Sequence, residues 1–551
     1  MNIASWFEAH PAAVQAVRTW IAAHRHGESP GGSRSMVDEL RRTYGYPFKD
    51  HTSFQQWAKR AFPDGYESVT QKRNCKPADP GMLKFRRTDA DIRRIERKEN
   101  FLFTCAIEGQ VADTAFLEAC LQWRKANDGI LAVSPLNYEN PRTRDEANEI
   151  EARDDSWWDP RLADFMLYNE LRPHRRLSLM TTKTQATAAN PLPARLSGRT
   201  QGRSAIFPHP QVAMRTVPTP QHKLPKILYS SGAITSKFYS DTVAGDMADF
   251  HHTLGGVIAE VRGDQFHLRE VTWDGAGFID CDKRYTPSGV EPAPPPDALV
   301  MGDVHAPHFV AQNVMRATFD PSGIVPTLSP RRLVLHDLAD NRWCNPHEVN
   351  NTLLRAALAA RGGLSMKREL QAVYDWLADL PGFEEIAVVY SNHDDFLYRW
   401  LDKGKPEPEN EKLYNKLKFL MLDQCDEDTL AFPIALELAL REMGQPRDDL
   451  RFLRPDESYV VNGVELGMHG HYGPNGARGS LRNLALIGIR SMFGHVHSPG
   501  IWQGAYAVGM SSNYRHGYNH GPSSWLQSHG LVHANGYRQL LHIINDDWRG
   551  R

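Results

Sequence analysis

The sequence predicts an α/β protein in three parts, and three observations carry that reading. The first hundred residues show helical periodicity. A strand–helix–strand signature opens at Phe101. Beyond residue 297 short apolar strands recur, each ending in a polar cluster. A chain of 551 residues exceeds what one hydrophobic core organises, so two or three domains are expected. With 41% hydrophobic and 24% charged residues, the composition is that of a folded chain and not of a disordered or fibrous one. No apolar run reaches bilayer-spanning length, and no secretory signal is read at the start, so no membrane partner is expected. The opening MNIASWFEAHPAAVQ reads instead as the beginning of an amphipathic helix. Six cysteines, at positions 75, 105, 120, 281, 344 and 425, form no CxxC pair. That spacing argues against a disulfide framework or zinc knuckle and for a reducing, cytoplasmic setting.

Taken in order, residues 1–99 form the helical part. Helices are expected over 12–24, 35–42 and 52–62, the last with Phe54, Trp57, Ala58, Ala61 and Phe62 on one face and Pro63 as its stop. Short helices joined by Gly- and Pro-containing turns could make a helix-turn-helix with Lys59 and Arg60 near phosphates; the alternative is a small helical cap. Residues 100–290 read as a small α/β domain. FLFTCAI, TAFLEACLQWRKAN and GILAVSPL give a βαβ unit, and GGVIAEVRG, QFHLREVTW and AGFIDCD add strands. The proline-rich EPAPPPD at 291–297 is the expected boundary. The rest, 297–551, is the largest domain, interrupted at 396–456 by charged helices that could cap a site or pack on the outside.

Charge is unevenly distributed. From Leu171 to Ser240 there is no Asp or Glu, while Arg172, Arg175, Arg176, Lys183, Arg195, Arg199, Arg203, Arg215, Lys223, Lys226 and Lys237 supply eleven positive charges. A polyanion is the natural partner of such a stretch, and the alternative is a basic loop pairing with acidic surface elsewhere in the chain. A second basic cluster runs over 72–98, with acidic residues mixed into it.

The chemistry is carried by the strand ends of the last domain. DALVMGDVHAPH brings Asp303 and His305, RRLVLHDLADNR brings Asp337 and Asp340, and EEIAVVYSNHDD brings Asn392, His393 and Asp394. VELGMHGHYG brings His469 and His471, and IRSMFGHVHSPG brings His495 and His497. Side chains at strand C-termini converge on the crevice of an α/β sheet, so the five clusters can meet. Carboxylate oxygen, imidazole nitrogen and amide oxygen suit two divalent ions, Mn2+ first and Fe2+ or Zn2+ as alternatives, and the absence of thiolates disfavours structural zinc. His308, His347, His471 and His516 are read as surface or hydrogen-bonded core histidines.

In their order, GDVH, HDLAD, SNHD, MHG and GHVH resemble the signature of calcineurin-like metallophosphoesterases, over roughly residues 297–515. The resemblance implies a β-sandwich flanked by helices. It implies Asp303, His305 and His497 on a first metal, Asn392, His469 and His495 on a second, and Asp337 bridging. His393 would act at the leaving oxygen as a general acid, oriented by Asp340, with direct attack by water and no covalent enzyme intermediate. Three positions depart from the pattern. His336 and Ser391 stand where the family has glycine, and Asn341 stands where the phosphoprotein phosphatases have arginine, which follows at Arg342. The last departure weakens a protein-phosphatase reading.

Such a site does not choose its ester. The acid-free segment favours DNA, with Arg172, Arg175, Arg176, Arg195, Arg199, Arg203 and Arg215 as contacts. The run LPKILYSSGAITSKFYSDTVAGDMADFHHTLGGVIAEV, followed by YTPSGV, resembles the early-expressed DNA-transfer proteins of lytic siphophages. That resemblance implies a metal-dependent nuclease working in the bacterial host cytoplasm on host-DNA degradation and DNA transfer. Two alternatives stay open: a phosphomonoesterase on nucleotides or DNA ends, and a non-hydrolytic DNA-binding host-takeover factor. Homo-oligomerisation also stays open, since nuclease relatives dimerise but no stripe here specifies an interface.

Overall fold

The computed structural model describes residues 2–25, 33–48, 51–62, 89–138, 158–181, 185–220, 223–346, 348–444 and 447–550. The predicted N-terminal helices are present as Pro11–Arg25, Ser33–Tyr44 and His51–Ala61, preceded by a short helix Ile3–Glu8. They bury a core of their own, in which Phe7, Trp20, Met36, Leu40, Phe54 and Ala58 meet. Phe54 is fully buried and Trp57 stacks on Phe7, so both are core residues as expected. Arg60 is exposed, whereas the Lys59 side chain and most of the 72–98 cluster lie outside the described residues.

The βαβ unit is also as expected. Asn100–Ile107 pairs in parallel with Ile130–Leu136, and Thr114–Ala126 is the crossover helix, capped by Asp113 through the Phe116 amide. Gly255–Arg262 and Gln265–Thr272 extend the sheet antiparallel. Period-2 alternation divides its strands between two cores. Leu102, Leu131 and Ile258 face the helix, while Phe101, Phe103, Val257 and Ala259 face the rest of the molecule.

The site is positioned by two further sheets. In the central one Leu450–Phe452, Glu385–Val388, Arg332–Leu335 and Ala298–Val300 run parallel in that order, followed by antiparallel Ser528–Val532 and Arg538–His542. Leu299, Leu333, Leu335, Ile386 and Val388 point to one face, into a core shared with helices Met366–Ala378, Asn392–Lys403, Glu411–Asp423 and Ala435–Arg441. Ala298, Val300, Val334, Ala387 and Val389 point to the other, against Leu466, Met492, Ile501 and Val508 of the second sheet. The result is two face-packed sheets with helices on the outside of one.

One expectation on organisation needs correction. The 291–297 boundary does not separate the sheets. The second sheet has ten strands, and Gly500–Trp502 pairs antiparallel with His209–Val217, so residues on both sides of the proline run share one ladder. The run itself is tied down, with the Asp297 amide on the Val532 carbonyl at 2.8 Å and the Arg331 amide on the Pro296 carbonyl at 3.0 Å. Proline density marks the missing N–H donors of the turn, and no flexible linker follows from it. Of the two readings left open for the helices of 396–456, the structure shows packing on the outside of the central sheet. Leu397, Leu401, Leu417, Met421 and Leu436 are buried in the central sheet's outer core, and Leu450–Phe452 completes that sheet's edge. Among the described residues no helix is long and apolar enough to cross a membrane.

Candidate metal centre

All seven expected ligands come to one place, at the C-terminal ends of strands from the two packed sheets. Asp303 and His305 follow Ala298–Val300, Asp337 follows Arg332–Leu335, and Asn392 follows Glu385–Val388. His469 follows Val464–Glu465, and His495 and His497 follow Ser491–Phe493. The strands end in unusually tight turns. His305, Asp337, His495 and His497 all hold left-handed backbone conformations, with φ of 55°, 44°, 68° and 52°. Each such non-glycine residue stores about 1–3 kcal/mol of strain, which the surrounding packing must offset. Gly494 permits the closest approach, because a Cβ there would lie 2.3 Å from Asp303 Oδ1.

The ligand atoms form two clusters joined at Asp337. Asp303, His305, Asp337 and His497 make one group and Asp337, His469 and His495 the other, each with its ligand atoms within 4.8 Å of one another. His497 Nε2 lies 2.9 Å from Asp303 Oδ2 and 3.1 Å from His305 Nε2, and His305 Nε2 lies 3.6 Å from Asp337 Oδ2. On the other side His469 Nε2 lies 3.3 Å from the same Asp337 Oδ2 and 3.0 Å from Asn392 Oδ1. His495 Nδ1 meets Asn392 Oδ1 at 3.0 Å. Apart from the partly exposed His495, the cluster's carboxylates and imidazoles are buried, and Asp337 Oδ1 has no hydrogen-bond partner.

The electrostatics agree with a cation-binding role. Burial alone would push the Asp303 and Asp337 carboxyls up. The imidazoles outweigh it, His497 at Asp303 and His469 at Asp337, and both stay below the usual carboxylate range. Burial, reinforced by His393, drops His305 well below the ordinary imidazole value, and burial drops His495 to about 4. Ionised carboxylates and neutral imidazoles are the protonation states a divalent ion requires. His469 goes the other way, since Asp337 outweighs burial and raises it. Buried oxygens on two aspartates, four imidazoles and an amide oxygen therefore fit two divalent ions of the Mn2+, Fe2+ or Zn2+ type.

His393 stands beside this group. Its Nδ1 donates to the Asp340 backbone carbonyl at 2.7 Å, while the Asp340 carboxylate is 3.5 Å from the same nitrogen. Orientation therefore comes chiefly from the Asp340 main chain, not from the carboxylate that the motif suggested. Burial works against the charged ring, but Asp337 and Asp340 outweigh it and raise the His393 pKa. Burial also pushes the Asp340 carboxyl up to about 7.

The departures from the motif are accommodated. Ser391 caps helix Asn392–Lys403: its Oγ accepts from the His393 and Asp394 amides, and Asp394 Oδ2 accepts from the Ser391 amide at 2.8 Å. His336 is buried between Gly494 and His469, and burial lowers it to about 3, so it packs as a neutral ring. Arg342 is anchored on Glu348 at 2.8 Å with its guanidinium over Phe309.

Three histidines set aside at first lie close by. His516 groups with His305 and His497, stacks on Phe309, and is held by Ser512 Oγ at 3.0 Å. The His471 ring lies 5.4 Å from His469, with both nitrogens buried and without hydrogen-bond partners. His308 pairs with Glu369 at 3.1 Å. His308 and His471 lie within the strings DALVMGDVHAPH and VELGMHGHYG and so offered a local signal, whereas His516 lies in none of the five strings.

The basic segment divides. Arg172 pairs with Glu170 at 3.0 Å and Arg175 with Asp264 at 2.6 Å. Arg203 lies 3.6 Å from Glu170, and Lys237 3.8 Å from Asp249. Arg176 donates to the Asp264 carbonyl. For Arg172, Arg175, Arg203 and Lys237 the expectation of unopposed charge is corrected, because acidic partners outside 171–240 answer them. Arg195 and Arg199 are exposed, and Arg215 has no acidic partner among the described residues.

Compared with known proteins, the chain is similar to Protein A1 of Escherichia phage T5. The two are 31% identical over 347 residues, which is 61% of this chain and 62% of that protein. The chain thus spans about three-fifths of the length of the relative it matches. No family model and no solved structure matches it.

Proposed function

We propose that this protein is a two-metal phosphodiesterase acting on DNA, a nuclease of the calcineurin-like type. The observation that carries the reading is Asp337, the one carboxylate common to both ligand clusters. Asp303, His305, His497 and Asp337 would hold one ion and Asp337, Asn392, His469 and His495 the other. Two ions so held supply Lewis-acid activation of water and of the phosphoryl oxygens. The chain's own part is orientation and proton transfer. The Asp340 carbonyl accepts a hydrogen bond from Nδ1 of His393, which leaves Nε2 as the nitrogen that can serve the leaving oxygen. The two nearby carboxylates favour its protonated form, as a general acid needs. A phosphomonoesterase would want a closed, small pocket beneath the 396–456 helices. Those helices lie in the outer core, and this favours the polymer substrate. A role as a phage early protein in host-DNA degradation and DNA transfer rests on the resemblance of the LPKILYSS region and on the similarity to a phage protein.

The test is incubation of linear, circular and single-stranded DNA with the purified protein and Mn2+, Mg2+ or chelator, beside Asp337→Ala. Mn2+-dependent breakdown absent from the variant is expected. Intact DNA in every lane, with turnover of a small phosphate ester, would replace the nuclease with a phosphomonoesterase.

A further inference from the structure

Six cations have no carboxylate partner among the described residues. Arg215, on strand His209–Val217, is opposite Gly500, three residues beyond His497. It donates to Ser197 Oγ, and its buried Nε has no acceptor. Lys226, at the start of the next strand, is 9% exposed and donates only to carbonyls, those of Ser197 at 2.8 Å and Gln201 at 2.6 Å. Both acceptors belong to or adjoin the short helix Arg195–Arg199, whose two arginines are exposed. From the other direction, helix Leu481–Ala485 packs on Gly500 through Leu481, and its Arg482 lies over the Trp502 ring at 4.2 Å. Arg478, exposed, bridges to Tyr472 in a loop pressed against Gly470, next to His469.

We infer that Arg478, Arg482, Arg215, Lys226, Arg195 and Arg199 form a backbone track for a phosphodiester strand, leading from the second-metal side of the centre across the ten-stranded sheet. The inference rests on the nuclease reading for its substrate and names the surface that would hold it. Two further facts support it. Burial and then a neighbouring cation lower both Arg215, beside Arg482, and Lys226, beside Arg215, and no carboxylate offsets either. Like charges held together in a half-buried site destabilise the free protein and are relieved by an anion. Asp395, which the Tyr472 hydroxyl reaches, is also engaged by Arg399 and Tyr390. Cations that meet phosphates carry no sequence information, so the track would bind the strand without regard to sequence.

The test uses the full chain in chelator, so that binding is read without cleavage, with a fluorescent single-stranded DNA titrated at several salt concentrations. Arg215→Gln with Arg482→Gln is compared with Arg172→Gln with Arg175→Gln, a pair of equal charge change taken from arginines that have acidic partners. The first pair is expected to flatten the dependence of log affinity on log salt by about 0.7 per lost contact and to weaken binding at least tenfold, and the second to change neither. Arg482→Gln alone, at an exposed position, keeps the test valid if the half-buried Arg215 variant folds poorly. Equal losses in both pairs, or none in the first, would overturn the track. Turnover of a small phosphate diester with Mn2+ is measured in parallel. Its absence from the wild-type protein would sink the hydrolase reading while leaving the binding result to stand or fall by itself.

Discussion

At His393 several groups act on one residue. The Asp340 carbonyl holds the ring at 2.7 Å, the Asn341 side chain holds the His393 carbonyl at 2.9 Å, and two carboxylates lift its pKa against burial. Removing the ring takes no ligand from either group joined at Asp337, because His393 groups only with His305 and Asp340. His393→Ala should therefore lower kcat for DNA cleavage by about 10²–10⁴-fold while Mn2+ affinity stays within a few-fold of wild type. Calorimetric Mn2+ titration beside single-turnover cleavage checks both halves. A variant that loses the metal as well would make His393 part of the metal site. At this scale the sequence was most legible where a ligand sits within a few residues of a strand end, as all seven do. His516 reaches His305 from a loop nine residues beyond the strand Ala505–Ala507, and Asp340 serves His393 through a main-chain carbonyl that no residue type announces.

The elements matter through the turns that end them. Four candidate ligands are held in left-handed turns, and Gly494 lets the loop carrying His495 and His497 lie against Asp303. A methyl group at Gly494 would meet Asp303 Oδ1 at 2.3 Å and His336 carbons at 2.9 Å. Gly494→Ala should thus weaken Mn2+ binding by about 10–100-fold with little change in far-UV circular dichroism, since the strand Ser491–Phe493 and its pairing lie outside the clash. Wild-type Mn2+ affinity in this variant would mean that the loop is not what sets the ligand geometry. The elements themselves were legible where periodicity decides, as in the βαβ unit and the N-terminal helices. Periodicity says that a helix has a buried face but not what lies on it. The helices of 396–456 could therefore be read as a cap when they in fact bury that face on the central sheet. The acid-free segment misled for a related reason: Asp264 lies 89 residues from Arg175 in sequence and beside it in the fold.

At the scale of the whole molecule the sheets are joined by contacts that no local pattern displays, and Glu270 is the clearest. It lies on a strand of the βαβ sheet, fully buried. It accepts from Tyr229 of the ten-stranded sheet at 2.9 Å and from the Leu540 amide of the central sheet at 2.8 Å. Tyr229 is also 3.0 Å from His542 Nε2, and His542 Nδ1 is 3.1 Å from Ser528 Oγ. Burial pushes the Glu270 carboxyl up to about 7 from an ordinary 4.5, the hydrogen bonds only partly opposing it. A protonated Glu270 can donate to Tyr229 while Tyr229 donates to the neutral His542, so one directional chain crosses the junction. Because the folded-state pKa is the higher one, the folded protein keeps a proton that the unfolded chain releases between pH 4.5 and about 7. This contribution to stability is therefore complete below pH 4.5. It declines at up to about 1.4 kcal/mol per pH unit as pH rises through the window, and levels off above it. Glutamine presents an amide that donates to Tyr229 at every pH. Glu270→Gln should match the wild type near pH 5 and exceed it by on the order of 2–3 kcal/mol at pH 8, measured by denaturant unfolding in chelator across that range. Unfolding midpoints that shift in parallel with pH for the two proteins would show that Glu270 is ionised throughout and that the three sheets meet around a charge.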